Sequence, residues 1–259
     1  MSLRELLKQP EYKGSPPPDG LPTSLLHRRI IQHKSILRRV YDDFYARILS
    51  RLVPLPGPRR LVEIGSGAGF FKQHLPGLIT SDILDLPNID LRCSALQMPF
   101  QDNILDGVVM VDVFHHLSDV QRFLSEVCRC LRPEGQVLMI EPAYTAFSRF
   151  IYGNFHHEDF DPRAGWQLSS HGSLSTANGA LPWIVFVRDR EKFDRLFPAL
   201  KLIRFQAHTP LAYLVSGGLS YRQLMPDFLY PVIRGIERIL SPFHGILGMF
   251  VTIELVKTV

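Results

Sequence analysis

Cysteine is scarce in this sequence, and its spacing excludes two common uses of the residue. Cys93, Cys128 and Cys130 form no C-x-x-C pair, and two of them lie one residue apart in a predicted helix. Such a small and odd set argues against a disulfide framework and against a zinc site. It is typical of a reducing compartment, so we expect a cytoplasmic protein.

Long apolar runs are missing as well. No stretch reaches the roughly 18 consecutive apolar residues of a transmembrane helix. The first residues include Arg4, Glu5 and Lys8 and lack the apolar core of a signal peptide. The sequence therefore predicts neither membrane insertion nor secretion.

Neither sign of charge dominates the chain, which has 29 Lys and Arg against 25 Asp and Glu, a net charge of +4. We therefore expect no nucleic-acid partner. One basic cluster lies on the polar face of a helix predicted from Thr23 or Ser24 to about Val53, before Pro54, Pro56 and Pro58. We interpret this face as solvated. The alternative is attraction of an anionic substrate or membrane surface.

Beyond the proline-rich arm at residues 1–23, strands and helices alternate. Residues 1–54 are predicted to form the arm and the long helix, and residues 55–259 one domain. The predicted strands are 60–64, 78–82, 91–94, 106–113, 136–140, 201–206 and 250–256; the predicted helices are 70–75, 118–131 and 189–197, and 183–187 is a strand or buried edge. This alternation predicts a parallel sheet with right-handed crossovers.

Two long insertions interrupt the alternation, at about 143–181 and 207–247. They follow the fifth and sixth predicted strands, so both should leave the sheet at the carboxyl ends of its strands. Ligands bind at that edge in open parallel sheets. We therefore predict that the insertions form a substrate lid.

The chain is organised around a glycine turn at 61–69, which follows a buried strand and precedes a predicted helix. Such a turn brings backbone N–H groups to a cofactor. The dinucleotide fingerprint G-x-G-x-x-G is missing, because the sixth position counted from Gly65 is Phe70. An NAD(P)-binding oxidoreductase is thus the weaker alternative, and a non-catalytic binding module is a third.

Five motifs follow one another in order. They are Val-Glu-Ile-Gly-Ser-Gly-Ala-Gly at 62–69, Ser-Asp at 81–82, Met-Pro-Phe-Gln-Asp-Asn-Ile-Leu-Asp at 98–106, Val-Phe-His-His-Leu at 113–117 and Leu-Arg-Pro-Glu-Gly at 131–135. With them the chain resembles the class I S-adenosylmethionine-dependent methyltransferases, in particular the small-molecule subgroup related to the ubiquinone and menaquinone methyltransferases. The resemblance covers about a third of the chain. It implies a Rossmann-like three-layer α/β/α sandwich, with a mostly parallel seven-stranded sheet and an antiparallel last strand.

The resemblance also implies an S-adenosylmethionine site. Gly65, Ser66, Gly67 and Gly69 would let the backbone approach the methionine part of the cofactor. Glu63 would orient the turn or the cofactor's ammonium group. Asp82 would accept both ribose hydroxyls.

Further cofactor contacts are implied near the next strands. Ile83 would pack on the adenine, and the backbone carbonyl of Asp112, followed by Val113, would face the methionine amino group. One departure concerns the adenine. Much of the subgroup has an Asp where this chain has Ser94, before Ala95 and Leu96, so the hydrogen bond there would lack charge assistance.

Candidate catalytic residues follow the fourth strand and line the first insertion. His115 and His116 are candidate general bases, with His115 expected to face the site and His116 to be structural. Tyr144 and His171 are further pocket candidates. The segment 156–159, His-His-Glu-Asp, is interpreted as a solvated loop rather than a metal site, so no metal is expected.

The methyl acceptor is only partly constrained. No Asn-Pro-Pro-Tyr motif follows the fourth strand, which argues against methylation of amino groups on nucleic-acid bases or glutamine by that route. The insertions are rich in Phe, Tyr, Leu and Trp, which favours an apolar or amphipathic small molecule, with possible peripheral contact to a lipid or membrane-linked substrate. The same residues fit a lid core or a dimer surface, and the acceptor atom stays open between O, N and C.

Overall fold

A computed structural model describes residues 7–12, 20–53, 59–156, 158–168 and 177–258. Within these residues seven strands form one sheet, in the order β3-β2-β1-β4-β5-β7-β6. The pairs β1–β2, β2–β3, β1–β4 and β4–β5 are parallel, and β7 runs antiparallel to both β5 and β6. The predicted Rossmann-like sheet with an antiparallel last strand is confirmed.

The bounds of the elements are as follows. The strands are β1 Leu61–Ile64, β2 Ile79–Asp82, β3 Leu91–Arg92, β4 Leu105–Val111, β5 Leu131–Pro142, β6 Leu200–His208 and β7 Phe250–Lys257. The helices are α1 Leu21–His33, α2 Ser35–Leu49, α3 Val120–Cys130, α4 Ala146–Phe155, α5 Leu181–Trp183, α6 Arg190–Leu196, α7 Ala212–Ser216, α8 Tyr230–Ile239 and α9 His244–Leu247. Short 3₁₀ turns occupy Pro10–Tyr12, Phe71–Gln73, Phe114–His116, Asp227–Leu229 and Ser241–Phe243, and a π turn occupies Ile184–Arg188.

The core lies on both faces of the sheet, which gives three layers. Neighbouring residues of a strand point to opposite faces, so Val108 joins the apolar cluster with α3 and α6, whereas Val109 joins the cluster with α1 and α2. The N-terminal helices are therefore an integral layer beside the sheet. None of the helices in the described part of the chain has the length and apolarity needed to cross a bilayer.

The single long helix predicted over 23–53 is in fact two helices. Lys34 separates α1 from α2 with an extended backbone at φ −91° and ψ 99°. Its side chain is buried, and its ammonium group donates to the carbonyls of Gly218 at 2.5 Å and Tyr221 at 2.6 Å. Two charge-assisted hydrogen bonds to the second insertion thus favour a break that periodicity does not show.

Two other predicted elements are also wrong. The predicted helix 70–75 is only a 3₁₀ turn, because Phe71 stacks on Tyr45 with ring centroids 4.6 Å apart and Pro76 and Gly77 follow at once. The predicted strand or edge at 183–187 is helical, with Ile184, Val185 and Phe186 buried, since a short apolar run does not distinguish a buried strand from a buried helix. Pro54, Pro56, Pro58 and residues 13–19 of the arm lie outside the described residues.

Part of the arm docks on the second insertion. Gln9 N–H donates to the carbonyl of Ser220 at 2.9 Å, and Arg222 N–H donates to the carbonyl of Leu7 at 2.8 Å. Together with Lys34, these bonds tie the N-terminal segment to residues 218–222, of which Leu219 and Ser220 line the cavity described below.

The Lys34 contact yields a stability prediction. Lys34→Met would leave two carbonyls without their charged donor, and each loss of this kind costs about 1–3 kcal/mol. We expect the free energy of unfolding, measured by urea denaturation, to fall by about 2 kcal/mol or more. Lys201→Met, at an exposed position of β6, is the matched control. Equal urea midpoints for both variants would show that Lys34 does not hold the two segments together.

Candidate functional site

A cavity of about 840 Å³ opens at the carboxyl ends of β1, β2 and β4. Its size suits a small-molecule or cofactor site. It is lined by nearly all of the predicted site residues: Glu63, Gly65, Ser66, Gly67, Gly69, Asp82, Ile83, Ser94, Ala95, Leu96, Asp112, Val113, His115 and His116. The topology therefore gathers residues spread over more than fifty positions of the sequence.

Tyr144 is the predicted site residue that the lining does not include. Its ring stacks on Trp183 with centroids 4.2 Å apart and on Phe160 at 5.7 Å, and the Arg149 guanidinium lies 4.9 Å from it. These contacts give it a packing role. His157 and His171 lie outside the described residues.

The glycine turn is shaped by its protein neighbours. Gly65 and Gly67 have φ of +68° and +41°, in the region that favours glycine. A Cβ on Gly65 would meet the two methyl carbons of Val113 at 2.5 and 2.7 Å, whereas a Cβ on Gly67 would meet nothing closer than 3.6 Å. Gly65 is thus required by packing against the end of β4, before any cofactor is considered.

Asp82 clamps this turn to the end of β2. Its Oδ2 accepts from Gly67 N–H and its Oδ1 from Leu84 N–H, both at 2.9 Å. A carboxylate oxygen has two lone pairs, so each oxygen keeps capacity for a ligand hydroxyl. Burial raises the pKa of Asp82 above its usual value.

Glu63 lies beneath the turn and is almost completely buried. Ser66 Oγ donates to its Oε2 at 2.8 Å. Burial raises the pKa of Glu63 to about 7, against the lowering effect of the Ser66 hydrogen bond and with a further contribution from Asp82. The carboxylate is therefore poised to respond to a cationic ligand.

The predicted adenine end is more open. Ile83 is 51% exposed at the cavity wall. The Ser94 hydroxyl accepts from Leu96 N–H at 3.2 Å, so part of its hydrogen-bonding capacity serves the local turn. The adenine contacts stay predictions.

Asp112 lines the floor of the cavity and has a strained backbone. Its φ of +61° is uncommon for a residue other than glycine, and its N–H donates to Ile140 at 2.8 Å. Burial raises the pKa of Asp112 to about 7, although nearby His115 opposes the shift. That its carbonyl faces the methionine amino group stays a prediction.

Glu141 at the end of β5 was missed in the sequence analysis. It is completely buried, and its Oε1 accepts from Val113 N–H at 2.9 Å and Phe114 N–H at 2.8 Å, while Oε2 contacts His115 Nδ1 at 2.7 Å. The available signal is an acid directly after the apolar strand 137–140.

Glu158 corrects the prediction of a solvated loop at 156–159. Its side chain is only 18% exposed and reaches three imidazoles: His115 Nε2 at 3.4 Å, His116 Nε2 at 3.6 Å and His156 Nδ1 at 3.6 Å. The sequence holds no local signal for this contact, because 158 and 115 meet only through the fold.

The two candidate bases have different surroundings. His115 is buried at 2% exposure, and the His116 side chain is 18% exposed. Burial alone would lower the pKa of His115, but hydrogen bonds to Glu141 and Glu158 outweigh it and hold that pKa well above the usual value. A protonated His115 cannot accept a proton, so its surroundings do not support a general-base role.

Aromatic side chains from the helical layer complete the wall. Tyr41 and Tyr45 come from α2, Tyr152 from α4 and Tyr213 from α7. Tyr45 OH accepts from Phe70 N–H at 3.1 Å. The tyrosines of α2 are indistinguishable from core positions by sequence, because they continue its apolar stripe.

Residues 62–139 match the family described as a methyltransferase domain. This match covers residues 62–139 only, and with the order of the strands it agrees with the predicted resemblance to the class I S-adenosylmethionine-dependent methyltransferases. S-adenosylmethionine is the cofactor of that class.

Individual relatives match only in part. A demethylmenaquinone methyltransferase of Symbiobacterium thermophilum is 39% identical over 115 residues, 44% of this chain and 45% of the relative. The mitochondrial arginine-hydroxylase NDUFAF5 of Mus musculus is 26% identical over 147 residues, 51% of this chain and 39% of its own. This chain thus spans less than half the length of either relative. Among solved structures, geranyl diphosphate C-methyltransferase from Streptomyces coelicolor aligns with 90% of this chain and 84% of its own, at 15% identity and a TM-score of 0.48.

The close approach of Gly65 to Val113 gives the next prediction. Gly65→Ala should lower both the free energy of unfolding and the affinity for S-adenosylmethionine, because the added methyl group collides with Val113. Adding Val113→Ala removes the two colliding methyl groups but leaves a tight contact of 3.2 Å to the Cβ atom of residue 113 and backbone strain of about 1–2 kcal/mol, so the double variant should recover part of the loss. Gly67→Ala, also at positive φ but without a collision, is the matched control for the effect on the free energy of unfolding. Additive effects of the Gly65 and Val113 changes would contradict this account.

The raised pKa of Glu63 gives a prediction about pH. The folded pKa of about 7 exceeds the usual 4.5, so the folded state binds more protons between these values and stability falls as pH rises through them. At one pKa unit per about 1.4 kcal/mol, the ionised carboxylate costs on the order of 3 kcal/mol at pH 8. Glu63→Gln should therefore be more stable than wild type in urea at pH 8, with the difference narrowing towards pH 5.

The same substitution removes a charge that faces the cavity, so the affinity for S-adenosylmethionine, measured by calorimetry at pH 8, should fall. Glu191→Gln, at an exposed position of α6, is the control for a surface carboxylate. If the difference in free energy of unfolding between Glu63→Gln and the wild type did not change with pH, the raised pKa could not be assigned to Glu63.

Proposed function

We propose that this protein transfers the methyl group of S-adenosylmethionine to a small, apolar or amphipathic acceptor. The observation that carries the proposal is the turn at 65–67, held by Asp82 and underlain by Glu63 at the edge of a cavity of about 840 Å³. Acidic groups there fit a cofactor that bears a sulfonium and an ammonium charge.

In the proposed function, each group of cavity residues would have a separate role in methyl transfer. The bound cofactor supplies an activated methyl group, so the protein needs to position the acceptor and exclude water. Glu63 and the turn would hold the methionine end, Asp82 the ribose hydroxyls, and Ile83 with Ser94 the adenine. The floor formed by Asp112 and Val113 would fix the depth at which the methyl group sits.

The residues that line the rest of the cavity indicate what kind of acceptor it would bind. Apolar and aromatic side chains from both insertions and from α1 and α2 line it, including Ile31, Tyr152, Phe160, Tyr213 and Leu219. They support a largely apolar acceptor with a polar group directed at His116 and Glu158. A lipid-linked acceptor is favoured by exposed apolar side chains on the second insertion: Phe228, Val232, Ile236, Ile239 and Phe243.

The alternative of an NAD(P)-dependent oxidoreductase has less support. Phe70 is buried at 6% exposure against Tyr45, where the dinucleotide fingerprint needs a small residue. Only a 3₁₀ turn follows at Phe71–Gln73, so no regular helix N-terminus is available for a pyrophosphate.

Titration calorimetry tests the proposal. We expect binding of S-adenosylmethionine and S-adenosylhomocysteine but not of NAD⁺. Asp82→Asn should weaken S-adenosylmethionine binding by tenfold or more, since hydrogen bonds to a charged group contribute about 1.5–3 kcal/mol. Asp85→Asn, three residues away and exposed, should leave it unchanged.

Methyl transfer itself is measured with isotope-labelled S-adenosylmethionine and a metabolite extract from the source organism. A labelled small molecule supports the proposal. Cofactor binding without transfer to any component would instead favour the non-catalytic module, and tighter binding of NAD⁺ the oxidoreductase.

A further inference from the structure

The cluster of His115, His116 and Glu158 has no part in holding the cofactor in the proposed function. These residues come from the turn after β4 and from the first insertion, and all three line the cavity. One ligand atom from each lies within 4.8 Å of the others. His156, which also lines the cavity, approaches the same carboxylate.

The imidazoles of His115 and His116 contact the Glu158 carboxylate at distances longer than those of ordinary charge-assisted hydrogen bonds. The nitrogen-to-oxygen separations are 3.4 Å from His115 and 3.6 Å from His116 to Glu158, whereas charge-assisted hydrogen bonds measure about 2.7–2.9 Å. Two ligands at about 2.0–2.1 Å from one tetrahedral metal ion lie about 3.3 Å apart. Both separations are slightly longer than this edge, and they are measured to different oxygens of Glu158, Oε2 from His115 and Oε1 from His116, so binding of an ion would draw the three groups together.

His115 is held by a hydrogen bond to a carboxylate, as histidine ligands of metal ions commonly are. Its Nδ1 lies 2.7 Å from Oε2 of the buried Glu141, and its Nε2 faces Glu158. A carboxylate that accepts from Nδ1–H fixes the orientation of the ring, and a metal ion at Nε2 would replace the proton that the imidazolium carries there. Glu141 is itself held by backbone N–H groups, so the imidazole is rigidly placed.

We propose that His115 Nε2, His116 Nε2 and the Glu158 carboxylate bind a divalent transition-metal ion at the acceptor end of the cavity. Two imidazoles and one carboxylate suit Zn²⁺ and related ions and disfavour Ca²⁺ and Mg²⁺, which prefer oxygen ligands. Three protein ligands beside a cavity leave a coordination position for an exogenous group, as in catalytic rather than structural sites.

The position of the site deepens the proposed function, on which this step rests. A metal ion at His116 and Glu158 would coordinate an oxygen atom of the acceptor; for a hydroxyl group it would lower the pKa, so that the proton passes to water before the methyl group is transferred. The acceptor would then carry a hydroxyl or carboxylate group, and no protein side chain would need to act as the base.

Metal binding is tested on the full chain after dialysis against EDTA. We expect calorimetry with Zn²⁺ to show one site per chain, and Co²⁺ to give the visible absorption of a low-coordinate complex with nitrogen and oxygen ligands. Glu158→Gln and His116→Ala should each weaken Zn²⁺ binding at least tenfold. Glu191→Gln and His33→Ala, at exposed positions, should not.

Two outcomes overturn the proposal: absence of Zn²⁺ and Co²⁺ binding by the wild type, or equal binding by Glu158→Gln and the controls. Urea unfolding of each variant separates loss of metal from loss of fold. Calorimetry with S-adenosylmethionine on the same samples separates the two proposals, because cofactor binding without metal binding refutes only the metal site.

Discussion

The floor of the cavity depends on one buried carboxylate, that of Glu141. It stands at the end of β5, yet its hydrogen bonds go to Val113, Phe114 and His115, which follow β4. Backbone N–H groups that leave a strand end without partners would be costly to bury. Glu141 satisfies them and thereby fixes Val113 against Gly65 and His115 towards Glu158. The cofactor turn and the histidine cluster are therefore placed by the same side chain.

Acidic groups concentrate at the cavity, and burying them costs stability. The pKa values of Glu63 and Asp112 are both raised to about 7, mainly by burial. Such groups are stabilised when a cation arrives, so the site is arranged for positively charged ligands at the expense of the empty fold. In the proposed function, S-adenosylmethionine would provide such charge at the turn. At the other end, His115 is the group that compensates Glu141 and Glu158.

Most of the sheet could be predicted, because its strands are short apolar runs bounded by turn residues. The errors occurred where tertiary contacts override local pattern. Lys34 interrupts a helix that is periodic in sequence, since its ammonium group is needed at Gly218 and Tyr221. Phe71 lies in a segment with a helical pattern, but its ring stacks on Tyr45 and only a 3₁₀ turn forms there. Both partners lie far away in sequence, so no local pattern reveals them.

The residues of the site fall into the same two groups: those that local sequence patterns predict and those that only tertiary contacts bring together. Residues of the cofactor end lie in or directly after strands, and strand order brings them together, so motif spacing alone predicts them. The proposed acceptor end is built by contacts between segments: Glu158 with His115, Tyr41 from the helical layer, and the arm on Ser220. Lys34 and the arm hold residues 218–222, and Leu219 and Ser220 of this segment line the cavity. A change in the N-terminal helices should therefore alter selection of the acceptor more than binding of the methyl donor.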